Sequence, residues 1–389
     1  MPTDPGPQEL REVVDGLRLV DHHVHGALRA DARSDRSAFE GMLTESDRPV
    51  PPWMTQFDSQ VGMALRRWCA PVLGLDAHAS PEQYLERRAA LGPEDVTVRL
   101  LRAAGISHYL IDTGHDADVL LSVGEMAVAA AAETREVVRL EAVAERLATS
   151  GVDAADFPAR YPERLDELTV DAVAVKSILA YRHGFDIAPE RPSDAEVVQA
   201  AGRWLRAGQP SQPSRVDDPV LLRFLLWSAV DRGLPIQLHT GYGDPDLRLD
   251  RCDPLLLTPW IKAVEPHGVD LLLLHCYPFH RHAGYLAQMF PHVYFDVGLA
   301  THFAGARSVE VVTESLELAP FAKVLFSTDA WGLPELHLLG AVLWRRALQR
   351  VLGQWVDDGD WSLADAVGVA HLVGERNARR VYGLGEVDG

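Results

Sequence analysis

Residues 17–26 read L-R-L-V-D-H-H-V-H-G, so an apolar run holding Leu17, Leu19 and Val20 finishes in Asp21, His22, His23, Val24 and His25. Neutral imidazole is the commonest side-chain metal ligand and binds through one ring nitrogen. In an extended strand side chains alternate, which sends His23 and His25 to one face and His22 and Val24 to the other. Two imidazoles on one face of a strand end can grip one divalent ion; surface histidine, or core histidine satisfied by backbone, is the competing explanation. Further polar residues close apolar runs downstream: His239 in P-I-Q-L-H-T-G (235–241), His275 in D-L-L-L-L-H-C (270–276) and Asp329 in V-L-F-S-T-D-A (324–330). Histidines recurring at equivalent strand ends, with a final aspartate, make a metal site the stronger reading. His267, His280, His282, His292 and His302 fall in loops or caps and are given no part in it.

These residues need a scaffold that gathers several strand ends in one place. Eight segments read as strands: 17–26, 105–114, 136–144, 171–182, 235–241, 270–276, 293–298 and 324–330. Helical patterns fall among them at 119–132, 193–207, 219–232 and 338–352, with a helical tail from Leu363. Near-continuous apolar strands alternating with helices signal a parallel sheet covered on its outside. Eight such units predict an α/β fold, a (β/α)8 TIM barrel with its site at the carboxyl ends of the strands. An open doubly wound sheet is the alternative, but no G-x-G-x-x-G turn supports a dinucleotide version. Residues 27–104 lack a strong β pattern and carry helical stretches at 61–68 and 81–90, the second opened by Ser80 as N-cap and Pro81. This stretch is predicted to be a helical insertion after strand 1 that lids the barrel mouth. Within it Arg29, Arg33, Trp53 and Phe57 are candidates to face a ligand, although solvated charge and packed aromatics are the commoner fates of such residues. The Pro/Gln/Ser-rich stretch 208–215 interrupts a repeat unit without resembling a linker, so residues 1–389 are expected to form one domain.

A formal net charge of −19 argues against nucleic-acid or anionic-membrane partners, because phosphate binding needs clustered Lys and Arg. With 47% hydrophobic and 24% charged residues the composition is that of an ordinary soluble enzyme, and no apolar run approaches a membrane span. The opening M-P-T-D-P-G-P-Q-E-L has neither the basic start nor the apolar core of a signal peptide, so a cytoplasmic location is expected. Cys69, Cys252 and Cys276, odd in number and without C-x-x-C spacing, fit reduced thiols. The expected partner is a small-molecule substrate, with a homodimer as the assembly considered.

The pattern of H-x-H on strand one, His on strands five and six and Asp on strand eight resembles the amidohydrolase superfamily. D-H-H-V-H-G, L-H-T-G-Y-G-D-P-D-L (238–247), L-H-C-Y-P-F (274–279) and F-S-T-D-A-W-G-L-P-E (326–335) resemble its amidohydrolase-2 family. They look most like the branch found as the N-terminal half of nodulin/glutamine-synthetase-like fusion proteins. The resemblance runs from Leu17 to Leu352 and is most specific from Pro235 onward. It implies one divalent metal, Zn2+ with Mn2+ or Fe2+ as alternatives, held by His23, His25, His239 and Asp329 with room for a water of lowered pKa. It implies Asp329 as general base and then acid, and His275 beside the metal, polarising the substrate carbonyl. Superfamily members with two metals bridge them through a carboxylated lysine on strand four; Lys176 would then be the bridge and His275 a ligand. One metal is the expectation, leaving Lys176 as a substrate anchor or a buried ion-pair partner of Glu141. Arg182, beside Tyr181, is the residue chosen to hold a substrate carboxylate in its guanidinium fork, with an outward salt bridge as the competing explanation. The implied reaction is hydrolysis of an amide C–N bond in a small carboxylate-bearing molecule. A γ-glutamyl amide is the example, since the resembled branch is fused elsewhere to a ligase able to make such bonds. A non-oxidative decarboxylase using the same metal is the alternative, and a catalytically inactive barrel that only binds is a third.

Overall fold

The computed structural model describes residues 7–29, 35–208 and 215–385; Arg33 and nearly all of the 208–215 stretch lie outside them. Seven parallel strands pair in the order of the sequence: β1 (Leu19–Val24), β2 (Ile106–Asp112), β3 (Glu133–Arg139), β4 (Ala174–Ser177), β5 (Ile236–Thr240), β6 (Leu271–His275) and β7 (Val293–Phe295). β1, β4, β5, β6 and β7 are buried along their whole length, the burial that parallel strands covered on both faces require. Alternate strand residues serve two cores. Leu19, Val138, Val175, Ile236 and Leu273 pack outward on the helices. Val20, Leu110, Val137, Leu272 and Leu274 form a smaller cluster with Ala378 and Tyr382 of the C-terminal helix Asn377–Tyr382.

The expected eighth strand is not one. Residues 324–330 join the two edges of the sheet through separate backbone contacts instead of a ladder. Leu325 N–H donates to Phe295 of β7 (3.0 Å), while His22 donates to Phe326 (3.2 Å), Asp329 to His23 (3.1 Å) and His25 to Ala330 (3.0 Å). The ladder fails because Asp21 Oδ1 takes the Thr328 N–H at 2.9 Å and Asp329 lies in the left-handed region at φ +49°. The sheet is therefore curled until β7 and β1 are linked through this segment.

Three other expected strands run short. Residues 136–144 divide into the end of β3 and a helix, Leu140–Thr149. Leu140, Val143 and Ala144 are buried on its inner face, a helical spacing masked by the alternation just before it. Residues 171–182 divide into β4 and one helical turn, Leu179–Arg182, because Glu141 accepts the Ile178 N–H (3.0 Å) and Ser177 Oγ the Leu179 N–H (3.1 Å). After β7, Asp296 takes the Gly298 N–H at 2.7 Å and opens the helix Gly298–Ala304.

Between β1 and β2 the described residues form four α-helices, Arg36–Gly41, Gln60–Val72, Pro81–Leu91 and Pro93–Ala103, the third begun by a Ser80/Gln83 capping box. Of the residues expected there to face a ligand, Arg29 pairs with Glu125, Trp53 is exposed to solvent and Phe57 is buried against Phe39. All three cysteines are buried and free. No described helix is long and apolar enough to cross a membrane.

Candidate metal centre

Between Asp21 and Val24, β1 carries one more residue than its neighbour. Asp21 pairs with Tyr109 and Val24 with Ile111, three steps along β1 against two along β2. Such a bulge shifts the alternation by one. His22 keeps the inward face set by Val20, against Tyr382 Oη (2.8 Å) and Asp296 Oδ2 (3.0 Å), and through the bulge His23 faces inward as well, with Nδ1 at 2.8 Å from Gln237 Oε1. Strict alternation, which would put His22 on the opposite face, does not hold here.

The second ring nitrogen of each strand-one histidine has a partner that fixes its tautomer. His23 Nδ1 can only donate to the amide oxygen of Gln237, and His25 Nδ1 only to the Asp112 carbonyl at 3.2 Å. Both Nε2 atoms thus present a lone pair. Burial holds His23 well below the usual imidazole range and pushes His25 down to about 3, so both are the neutral bases that metal binding requires.

These lone pairs converge on Asp329. Its Oδ1 is 3.1 Å from His23 Nε2 and 3.7 Å from His25 Nε2, and its Oδ2 is 3.2 Å from His275 Nε2. Two groups have ligand atoms within 4.8 Å of one another: His23, His25 and Asp112, and His23, His275 and Asp329. His239 lies between Tyr181 and His275, its ring tilted against both at centroid distances of 4.5 and 4.7 Å. Its buried Nε2 has no hydrogen-bond partner, nor has either ring nitrogen of His275. Buried polar atoms left unpaired are costly, and the unpaired Nε2 of His239 suits a divalent cation, although His239 belongs to neither of those two groups. Lys176 Nζ reaches the same point, 3.0 Å from His23 Nε2; burial lowers it to about 8 against the pull of Asp329 and Asp112. Burial raises the Asp329 carboxyl to about 6, opposed by His25 and Lys176. His275 (φ +67°), Cys276 (φ +57°) and Asp329 hold left-handed backbone, which costs about 1–3 kcal/mol per non-glycine residue and gathers at functional sites.

Above this cluster opens a cavity of about 730 Å³ lined by His25, Lys176, His239 and Asp329 together with Tyr181, Arg182, Arg215 and the 41–47 loop. Arg182 donates through Nη2 to Glu145 (3.0 Å), while its buried Nε and Nη1 are unpaired. Glu141 does not line the cavity: its Oε1 is bonded to Ser177 Oγ (2.7 Å) and the Ile178 N–H (3.0 Å), on the first turn of Leu140–Thr149.

Other residues of the site went unmarked, or were set aside, in the sequence. Asp112 grips Arg139 with two bonds of 3.0 and 2.6 Å; like Asp296 it closes an apolar run, a signal as legible as that of the histidines. His302, set aside in the sequence as a loop or cap residue, lies in the helix Gly298–Ala304 and lines the cavity with both buried ring nitrogens unpaired, and Glu45, from the 41–47 loop, has its carboxyl raised to about 8 by burial and by Asp329 and Asp244. Neither carries a local sequence signal, since tertiary packing alone brings them there.

Residues 74–384 match the family described as Amidohydrolase, Amidohydro_2, and the chain belongs to that family. It is 32% identical over 287 residues to Protein fluG of Emericella nidulans, covering 66% of this chain and 33% of that protein, so it spans about a third of that relative's length. A solved structure from Lactobacillus casei, provisionally described as a metal-dependent hydrolase, superposes with a TM-score of 0.84 at 27% identity over 98% of both chains. A uronate isomerase from Bacillus halodurans shares the fold at a TM-score of 0.62 and 14% identity, over 97% of this chain and 96% of that one.

Proposed function

We propose that the protein is a metal-dependent hydrolase of an amide C–N bond in a small carboxylate-bearing molecule, with a γ-glutamyl amide as the leading candidate. The observation that carries this reading is the convergence of His23, His25 and His275 on Asp329 beneath a cavity in which Arg182 has two unused donors. On this reading the curled sheet and its joining segment are an eight-membered barrel in one domain, and the helices between β1 and β2, with the 41–47 loop, form its lid.

One divalent ion held by His23, His25, His239 and Asp329 would supply Lewis acidity, lowering the pKa of a water and polarising the substrate carbonyl. Three imidazoles and one carboxylate suit zinc, with manganese and iron as alternatives. Asp329 takes the proton of the attacking water and returns it to the leaving amine. His275, kept neutral by burial, donates a hydrogen bond to the oxygen on which charge develops. Arg182 holds the substrate carboxylate through Nε and Nη1. Lys176 remains an amine and anchors the substrate from the cavity floor.

The test is a screen of γ-glutamyl amides, N-acyl amino acids and aromatic acids with the metal-loaded protein, scoring amine and carbon dioxide together. Amine without carbon dioxide is expected. Carbon dioxide without amine would make the protein a decarboxylase of the same family, and neither product, with ligand still bound, would make it a binding protein.

A further inference from the structure

Beneath His23, four buried side chains from four parts of the chain form a connected set of hydrogen bonds: His22 of β1, Gln237 of β5, Asp296 after β7 and Tyr382 of the C-terminal helix. Their proton positions have one consistent solution. Gln237 Nε2 donates to the His22 backbone carbonyl at 2.7 Å, which fixes the amide orientation and leaves Oε1 as the acceptor for His23 Nδ1–H at 2.8 Å. The same amide nitrogen donates to Tyr382 Oη at 2.8 Å, so the tyrosine's own proton is free for His22 Nδ1, also at 2.8 Å. His22 Nδ1 then accepts, and the ring carries its proton on Nε2, donated to Asp296 Oδ2 at 3.0 Å. The other oxygen of Asp296 takes the His275 N–H (3.0 Å), the Gly298 N–H (2.7 Å) and the Ser327 hydroxyl (2.7 Å). Doubly protonated His22 would donate to Tyr382 Oη as well, leaving the tyrosine proton buried without an acceptor.

We propose that Asp296, His22, Tyr382 and Gln237 are positioning residues of the metal centre: a one-way hydrogen-bond chain that locks His23 in its Nδ1–H form and aims a strengthened Nε2 lone pair at the ion. The chain begins at a carboxylate, and each link polarises the next in a dry interior. Asp296 also grips the backbone of His275 and the side chain of Ser327, two residues before Asp329, so one buried carboxylate ties three of the converging segments together. The C-terminal helix is therefore a working part of the site, since Tyr382 supplies the link that no strand residue provides.

This inference rests on the metal reading above for its last link only. Tyr382→Phe keeps the ring and removes one donor and one acceptor. In competition with a chelator, the folded variant should bind Zn2+ about tenfold more weakly than native protein, the lower end of the loss seen for the direct partner of a metal-bound histidine, since Tyr382 acts one link behind Gln237. Glue between helix and sheet would move the unfolding temperature and leave zinc affinity alone. Native protein that takes up no zinc contradicts the metal reading; native protein that binds it, with a folded variant binding within threefold, contradicts the chain. Neutron diffraction from deuterated native crystals decides the matter even if the variant does not fold. Deuterium is expected on His23 Nδ1, on His22 Nε2 and on Tyr382 Oη facing His22, and deuterium on His22 Nδ1 or His23 Nε2 overturns the proposal.

Discussion

Replacing Arg182 by methionine keeps most of the apolar stem and removes the guanidinium fork. In the fold Arg182 is paired with Glu145, whose side chain is 24% exposed and whose Oε1 also accepts the Val216 N–H at 3.0 Å. A carboxylate with a second partner and access to water loses little when its ion-pair partner goes, so the cost to stability should be about 1 kcal/mol or less. A substrate carboxylate docked on Nε and Nη1 would gain two charge-assisted bonds of about 1.5–3 kcal/mol each, which as a coupled pair we take as about 3 kcal/mol. At about 1.4 kcal/mol per factor of ten, kcat/KM should fall by roughly 150-fold. Arg182→Lys keeps the charge but not the fork and should lose about tenfold. The assay is amine release at substrate concentrations well below KM, beside a urea unfolding curve. An Arg182→Met protein with native stability and kcat/KM within threefold of the parent would refute the assignment.

His23→Ala, His239→Ala and Asp329→Ala should each lower metal content, measured by mass spectrometry, and abolish turnover; because the ligands act as a unit the losses should not add in double variants. His275→Ala should keep the metal and lose on the order of a hundredfold in rate. Gly340 lies in the helix Pro334–Asp357, where an added Cβ would come within 2.6 Å of Thr328 Cγ2. Overpacking costs about 1–3 kcal/mol and helix propensity returns about 1 kcal/mol, so Gly340→Ala should shift the urea midpoint downward. A short linker in place of the helices between β1 and β2 should remove substrate binding and leave the metal, and unchanged Michaelis kinetics in a folded, metal-loaded deletion would contradict the lid.

The strand-end histidines were legible because a polar residue closing an apolar run is conspicuous, and the same logic applied equally to Asp112 and Asp296, whose carboxylates attracted no notice without imidazoles beside them. That His22 and His23 share the inward face could not be read, since a bulge is a property of the pairing with β2 and leaves no mark on period-two alternation. Glu141 was misplaced on a strand because R-L-E-A alternates as a strand would, while the buried Leu140, Val143 and Ala144 obey the helical period. The joining segment 324–330 has the composition of a buried strand. What denies it a ladder is the bond from Thr328 to Asp21, about three hundred residues away in the chain. Tyr382 lies near the end of the chain with no motif around it, and only the packing of the last helix against β1 brings its hydroxyl to Gln237.

The central claim is a single ion held by His23, His25, His239 and Asp329, with Lys176 an unmodified amine. The metal-to-chain ratio of apo-protein reconstituted without excess metal tests it most directly. A ratio of one, unchanged in Lys176→Ala and in His275→Ala, is the expected result. A ratio near two, roughly halved by either substitution and reached faster with added bicarbonate, would contradict it and move His275 from catalyst to ligand.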